Sequence, residues 1–342
     1  MFKYVLKRLT LMICVFLIII SMCFILVKLL PVTDAAQFGK DSAIVEMRRE
    51  QLGYNKPLIV QYGIFIQKTL LATDYENDVW FGYDFANGEF KGMDWGMSEK
   101  LYFGRDVWDI FISKLPATMI VNVYTMLFAV PIGLLLGIYA ALKKNKWQDH
   151  LISTGVMVLI SVPGYVTCFL IQYFLCHKLK DLTGGWSFPL QMNPGTDYFS
   201  WDMFISLVPP IIALGLGTIA GLARYTRAEL TEVLTSEFML LARTKGLTRG
   251  QATVRHALRN SMVPIFPMIM GEFIGIIGGS LVVEKIFGIP GVGPLYLNSI
   301  TSLDYNFYLL LNAFYTLIGL LANIVVDLSY GFVDPRIRMG EK

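Results

Sequence analysis

Six apolar runs, each about long enough to cross a bilayer, constrain the fold of this chain more than any other feature. A helix of roughly 20 residues crosses a hydrocarbon core of about 30 Å, and it satisfies its own backbone hydrogen bonds there. Only 16% of the 342 residues are charged, against about 25% in soluble domains. The sequence therefore predicts an all-α polytopic membrane protein with about six transmembrane helices. The predicted spans are Leu9–Leu30, Leu115–Leu142, Leu151–Cys176, Ser206–Ala223, Met262–Val283 and Phe307–Tyr330.

The first run has two interpretations, a cleaved signal peptide or a retained anchor. The residues before it are basic, as a signal requires, but the uncharged stretch Leu9–Val27 is longer than the usual apolar region of about 7–15 residues. We interpret it as an anchor. The predicted organisation is an N-terminal transmembrane helix in residues 1–30, a sizeable extracellular segment in 31–114, and a core domain with five helices in 115–342.

Basic residues in short connectors predict the orientation of the chain. Lys143, Lys144 and Lys146 mark one connector, and the insert 224–261 and the C-terminal tail are also basic. Positively charged loops stay on the cytoplasmic side, so both termini are predicted to be cytoplasmic. The net charge of +3 then reflects topology, and the sequence does not indicate nucleic-acid binding.

The segment 31–114 mixes acidic residues with many aromatic residues. Such a composition favours a folded cap over disorder. Two interpretations stay open: a structured surface loop, or a docking surface for an external partner.

The sequence gives no case for an enzyme. It has no phosphate-binding loop and no nucleophile-elbow or zinc-protease motif. Its three histidines are scattered, and its four cysteines lack C-x-x-C spacing. We therefore expect the chain itself to bind neither a metal nor a cofactor.

The basic insert 224–261 is the best lead to function. Thr235 and Ser236 are good N-cap residues, and Gly246 is a natural stop after the C-terminus of a helix. Glu237 places a negative charge in the first turn, where it suits the helix dipole. A short helix is thus predicted over Glu237–Lys245.

This short helix needs a surface to pack on, because a helix of its length is not stable alone in water. Phe238, Leu241 and Ala242 recur at i, i+3 and i+4, which predicts that they share one face. The helix either rests on the inner leaflet or fits a groove on a cytoplasmic protein. The residues alone favour neither.

Polar residues within the predicted spans are candidates for a translocation path. Glu272 stands out, because a carboxylate at membrane depth is costly and faces a cavity or a partner. It either lines the path or bonds locally at a helix interface, and local bonding is slightly favoured. Asn122 and Asn323 are weaker candidates.

The stretch Phe287–Gly293 predicts a bent, re-entrant piece near an outer gate, since proline and glycine interrupt the apolar pattern. Its candidate gate residues are Phe287, Pro290, Gly291 and Gly293.

Eight motifs, in order along nearly the whole chain, resemble those of binding-protein-dependent ABC importer permeases, in particular the B-type subunit of the dipeptide/oligopeptide branch. The longest begins in the basic insert at Glu237, and the order and spacing of the motifs together are specific. They are Phe2–Arg8, Leu52–Pro57, Asp94–Ser98, Glu237–Thr248, His256–Pro264, Glu284–Gly293, Asp304–Tyr305 and Asp334–Arg338.

The resemblance implies a type I ABC importer permease in a bacterial cytoplasmic membrane. It implies a second homologous permease as heterodimer partner, two cytoplasmic ATPases that use ATP and Mg²⁺, and an extracellular substrate-binding protein. Glu237–Gly246 would be the helix that couples to an ATPase. Phe238 and Leu241 would anchor it, Arg243 and Lys245 would make polar contacts, and Gly246 would allow the C-cap.

The chain departs from the family pattern at two places. The broader family motif starts Glu-Ala-Ala, and here the matching residues are Leu240, Leu241 and Ala242, which is usual in the peptide branch. The segment 74–92 is longer than expected. Nickel chelates, glutathione or oligosaccharides remain alternative cargoes. A stand-alone secondary transporter is a less favoured alternative, since it should show more intramembrane charges and internal repeats.

Overall fold

Helices make up most of the computed structural model, which describes residues 2–29, 47, 50, 56–73, 79–84, 88–90, 93–193 and 197–333. Five helices are long and apolar enough to cross a membrane, or six if one bent pair counts as a single span. This confirms the predicted all-α membrane fold. The helices are α1 Phe2–Leu29, α2 Leu58–Phe65, α3 Val107–Leu142, α4 Trp147–Ser161, α5 Gly164–Ile171, α6 Leu179–Thr183, α7 Trp201–Leu234, α8 Glu237–Thr244, α9 Arg249–Ala252, α10 Leu258–Gly278, α11 Leu281–Ile286, α12 Val292–Thr301 and α13 Tyr305–Val333.

Three π-helical turns extend the shorter helices. Ile66–Leu70 continues α2, Gln172–Lys178 joins α5 to α6, and Thr253–Ala257 joins α9 to α10. The predicted motif Asp334–Arg338 and the first residues of the motif Leu52–Pro57 lie outside the described residues.

The chain divides into two compact units whose boundaries fall inside α1, α3 and α13 and in the turn between α11 and α12. One unit comprises Met1–Val5, Ala117–Pro290 and Leu321–Lys342, and the other comprises Leu6–Pro116 and Gly291–Leu320. We call them the large unit and the small unit.

The small unit has its own apolar core and a small sheet that the sequence did not predict. The core is built from Ile20 and Phe24 of α1, Phe111 of α3, and Phe307 and Leu310 of α13, among others. The sheet is antiparallel in the order β1-β2-β3, with strands β1 Val79–Trp80, β2 Tyr83–Asp84 and β3 Glu89–Phe90.

In the large unit, α3 and α7 pack very closely at two glycines. A Cβ atom at Gly133 would lie 2.9 Å from the Cβ of Leu222, and one at Gly137 would lie 2.6 Å from the Cβ of Thr226. Small residues four apart allow such backbone approach between membrane helices. These glycines therefore allow α3 and α7 to pack closely in their C-terminal halves, which lead into the basic connectors.

Helix α7 is longer than the predicted span. It was expected to end at Ala223, but it continues without a break to Leu234 and includes Pro209 and Pro210. Thr226 and Leu230 are fully buried in this extension. The first part of the basic insert is thus a continuation of the span, because its apolar face packs on the protein.

The predicted span Leu151–Cys176 is not one continuous helix, because α4 and the helical stretch Gly164–Thr183 meet at an angle of 104° and form either a broken span or a re-entrant loop. The break falls at Val162 and Pro163. Val162 has an extended backbone, with φ −81° and ψ 125°. A residue that precedes proline is driven out of the helical region, and proline itself cannot donate a backbone hydrogen bond.

The predicted span Met262–Val283 is also interrupted, at Gly279. This residue has a φ of 69°, and a Cβ there would lie 2.5 Å from Cγ2 of Thr118. The buried Glu284 lies on the other side, and its carboxylate accepts a hydrogen bond from the Ser280 backbone amide at 3.3 Å. Glycine is required here because both the backbone conformation and the space exclude a side chain.

Candidate functional site

Helix α8 has two faces of different character. Met239 and Ala242 are buried, with 5% and 8% of their surface exposed. Phe238 and Leu241 keep 42% and 56% of their surface exposed, and Leu240 is more exposed still. The expectation that Ala242 shares a face with Phe238 and Leu241 is therefore wrong, since Ala242 packs inward with Met239.

The inward face of α8 packs on a cluster that we call the platform. Its buried residues come from the end of α3, from α7, from α8 itself, from α9 and from the π-helical turn that leads into α10. They are Ala141, Leu230, Met239, Ala242, Ala252 and Ala257. Small alanines let these elements approach closely, so α8 is held by its own chain on one side while the other side stays open.

The two ends of α8 differ from the sequence expectation in detail. Ser236 occupies the N-cap position, but its hydroxyl donates to the Val233 carbonyl at 2.6 Å and not to α8. The hydroxyl of Thr235 likewise donates to the Glu232 carbonyl, at 2.9 Å. Both side chains thus form hydrogen bonds to the last turn of α7 and do not cap α8.

At the other end, α8 stops at Thr244, one residue before the predicted end. Lys245 is the C-cap residue. Gly246 follows with a φ of 91°, and its amide donates to the Arg243 carbonyl at 3.0 Å. A positive φ at this position is the usual way in which glycine ends a helix.

The open face of α8 combines apolar and charged side chains. Phe238, Leu240 and Leu241 form a patch that we call the apolar ridge. Glu237, Arg243 and Lys245 are exposed beside it. The arrangement suits the docking of a protein surface that offers an apolar groove with a polar rim.

A buried ion pair fixes the start of α4 to α7 near the platform. Arg227 donates from Nη2 to Oδ2 of Asp149 at 2.8 Å, and its Nε contacts the other carboxylate oxygen. The Asn145 amide also donates to this carboxylate, at 2.9 Å. Asp149 is almost fully buried, whereas the Arg227 side chain keeps 32% of its surface exposed. The sequence reasoning missed this pair, because its members lie 78 positions apart.

The three candidate path residues lie in different surroundings. The Asn122 side chain donates to the carbonyls of Thr118 and Ile276, both at 2.9 Å, and so joins α3 to α10. Glu272 is half-buried, and we find no hydrogen bond or ion pair to it among the described residues. Asn323 is exposed. Asn122 thus has a structural partner on each side, while Glu272 and Asn323 stay candidates for the path.

The four candidate gate residues lie on both sides of the boundary between the two units, which falls between Pro290 and Gly291. Phe287 is buried in the large unit, where its carbonyl accepts from the Met192 amide at 3.2 Å, and Pro290 is exposed. In the small unit, Gly291 is the N-cap of α12 and Gly293 lies buried in its first turn. The stretch includes the turn between α11 and α12, and its role at an outer gate stays a prediction.

A second buried carboxylate, Asp304, joins two of the motifs within the small unit. Its Oδ2 accepts hydrogen bonds from the Ser98 hydroxyl at 2.6 Å and from the amides of Lys100 and Leu101 at 3.1 Å. Asn306 adds a bond to the Met97 carbonyl at 2.9 Å. The motifs Asp94–Ser98 and Asp304–Tyr305, read separately in the sequence, are thus parts of one structure.

The part of the chain that the structure describes contains no group of three or more His, Cys, Asp or Glu residues that could hold a metal ion.

Comparison with known proteins decides between the classes that this geometry allows. Residues 133–339 match the family described as "Binding-protein-dependent transport system inner membrane component", and residues 1–122 match the N-terminal family of the same systems. The chain belongs to this family. The resemblance to ABC importer permeases is thereby confirmed, and the chain is a multi-pass membrane subunit of a transport system.

Two full-length relatives agree with that assignment. The dipeptide transport system permease protein DppB of Bacillus subtilis is 30% identical over 100% of both chains. The glutathione transport system permease protein GsiC of Shigella flexneri is 31% identical over 99% of both chains. The crystal structure of an amino acid ABC transporter matches 65% of this chain and 92% of its own, with a TM-score of 0.47 and 22% identity.

Proposed function

We propose that the chain is a permease subunit of an ATP-binding-cassette importer for dipeptides or oligopeptides. It forms half of the translocation path, and a second homologous permease forms the other half. Two cytoplasmic ATPases bind ATP and Mg²⁺ and drive alternating access. An extracellular binding protein delivers the cargo. Both termini, and the platform with α8, then lie on the cytoplasmic side, in line with the basic connectors.

The single observation that carries the coupling role is the apolar ridge. Phe238, Leu240 and Leu241 are exposed on a helix whose other face is fixed to the platform. Exposed apolar side chains on a helix that is fixed in position indicate a binding surface for a partner protein. A groove on an ATPase that takes up this ridge would transmit its movement to α7 and α3, because the platform joins α8 to the ends of both helices.

The docking role is tested by placing a charge on the ridge. In membranes that contain this chain, the second permease and the ATPases, we expect Leu241→Glu to lose the ATPases on purification while it keeps the second permease. The matched control is Val254→Glu, which changes another exposed apolar residue of the same insert outside α8. Equal loss of the ATPases from both variants, or from neither, would contradict docking at α8.

The proposed cargo rests on the names of the relatives. DppB is a dipeptide permease and GsiC a glutathione permease, and both cargoes are short peptides. We expect the assembled system to take up a labelled dipeptide, and unlabelled di- and tripeptides to compete for that uptake. Competition by nickel chelates or oligosaccharides, without competition by peptides, would show a different cargo.

The path residues can be tested in the same assay. Glu272→Gln should change peptide uptake more than Asn122→Leu if Glu272 faces the path, since Asn122 holds two backbone carbonyls at a helix contact. Insertion and assembly of each variant are checked by recovery of the complex.

A further inference from the structure

Helix α2 lies against the half of α1 that ends at Leu29. The rings of Phe24 and Phe65 stack with their centroids 4.8 Å apart, and the rings of Phe24 and Tyr62 are 5.6 Å apart. The hydroxyls of Ser21 and Tyr62 are 2.5 Å apart and share a hydrogen bond. All of these residues belong to the small unit, so the contact is internal to one body.

The depth of this contact follows from α1 itself. The apolar span of α1 runs from Val5 to Leu29. Ser21 lies eight residues before Leu29, or roughly 12 Å along the axis at about 1.5 Å per residue. Half of a bilayer core is about 15 Å thick. The Ser21–Tyr62 hydrogen bond therefore lies at a depth where acyl chains surround α1.

The composition and exposure of α2 fit that depth. Its first turn, Leu58, Ile59 and Val60, is apolar and exposed, with 80% of the Ile59 surface open. The polar groups of α2 have partners within the chain: Tyr62 bonds Ser21, and the Gln61 side chain donates to the Lys56 carbonyl at 2.7 Å. A segment that is in contact with lipid must satisfy its polar groups internally in this way.

We propose that α2 is embedded in the bilayer and that Leu58, Ile59 and Val60 bind the acyl chains of the leaflet at the Leu29 end of α1. The occupant is lipid and not a protein partner, because the same half of α1 already presents the exposed apolar residues Met22 and Leu26 of a membrane span. The apolar surface of α2 continues that lipid-facing surface. A helix embedded in this way anchors the start of the segment 56–73 to the membrane.

The inference depends only on the membrane position of α1, so it can fail while the proposed coupling role stands. The experiment uses the full chain in phosphatidylcholine vesicles, with Cys14→Ala as the background because Cys14 is an exposed thiol. A spin label is placed at Ile59→Cys, and its collision rates with oxygen and with a water-soluble nickel complex are measured. Ile18→Cys, on the exposed surface of α1, is the lipid control, and Lys144→Cys, in a polar connector, is the water control.

We expect the label at residue 59 to match the lipid control, with frequent oxygen collisions and few nickel collisions. A label that matches the water control would overturn the proposal. A label shielded from both reagents would also overturn it, because a protein surface would then cover α2. Val60→Cys provides a second position for the same measurement.

Discussion

Gly246→Ala should loosen the C-terminal end of α8 through the backbone alone. Gly246 has a φ of 91°, and a Cβ added there would meet nothing within 4 Å. The cost is therefore conformational and not steric, about 1–2 kcal/mol for an L-residue in the left-handed region. That energy raises the opening equilibrium of the cap roughly 5- to 30-fold. We expect amide exchange to accelerate by that factor at Gly246 and Leu247, which donate to the carbonyls of Arg243 and Ala242.

Gly250→Ala is the matched control for this prediction. Gly250 lies four residues further on, also with open space around its Cβ position, but its backbone is helical within α9. Alanine is favoured over glycine there by roughly 0.5–1 kcal/mol. Hydrogen exchange followed by mass spectrometry on the purified complex measures both variants. Equal exchange in the two, or slower exchange at the end of α8 in Gly246→Ala, would refute the conformational argument.

Three further changes test contacts that lie within the large unit or within the small unit. Gly137→Ala should lower the free energy of unfolding by about 1–3 kcal/mol through overpacking between α3 and α7. The control is Gly155→Ala, which has nothing within 4 Å of its Cβ and should leave the Tm in detergent nearly unchanged. Equal Tm values for the two variants would contradict the close approach of α3 and α7. Asp149→Ala should lower the free energy of unfolding by less than the roughly 3–5 kcal/mol expected when a fully buried ion pair is broken, since Arg227 is partly exposed. Adding Arg227→Met to this variant should restore part of the lost stability in the same Tm measurement. Asp304→Ala should speed limited proteolysis in the segment 96–106, and unchanged cleavage would show that this carboxylate does not hold the segment.

The sequence predicted the class and the place of the site because both depend on local patterns. Apolar length identified the spans, and the glycine at 246 together with the preceding helical residues identified α8 to within one residue of its end. The buried face of α8 could not be predicted in the same way. Ala242 fits an i, i+3 pattern with Met239 as well as it fits Phe238, and the choice depends on Ala141 and Leu230, which come from distant helices.

Other features left a local signal that hydropathy alone does not use. Pro163 after Val162 indicates a helix boundary, yet the run Leu151–Cys176 stays apolar across it. Gly133 and Gly137 have the spacing of a close helix contact. The sequence contains no such local signal for the partner of a buried carboxylate such as Asp149, because that partner is determined only when the spans pack together.

The sharp bend after α4 has a consequence for how the subunit meets its surroundings. Helix α4 has 15 residues, about 22 Å of length, so the bend at Val162 and Pro163 falls before the far boundary of a bilayer. Carbonyl groups in the last turn of α4 lose their helical partners there, and hydrocarbon cannot solvate them. In an isolated subunit, these carbonyl groups draw water into the hydrocarbon core. Water in a cavity or polar groups of protein have to satisfy them instead, so the kink marks a place where lipid alone cannot surround this subunit.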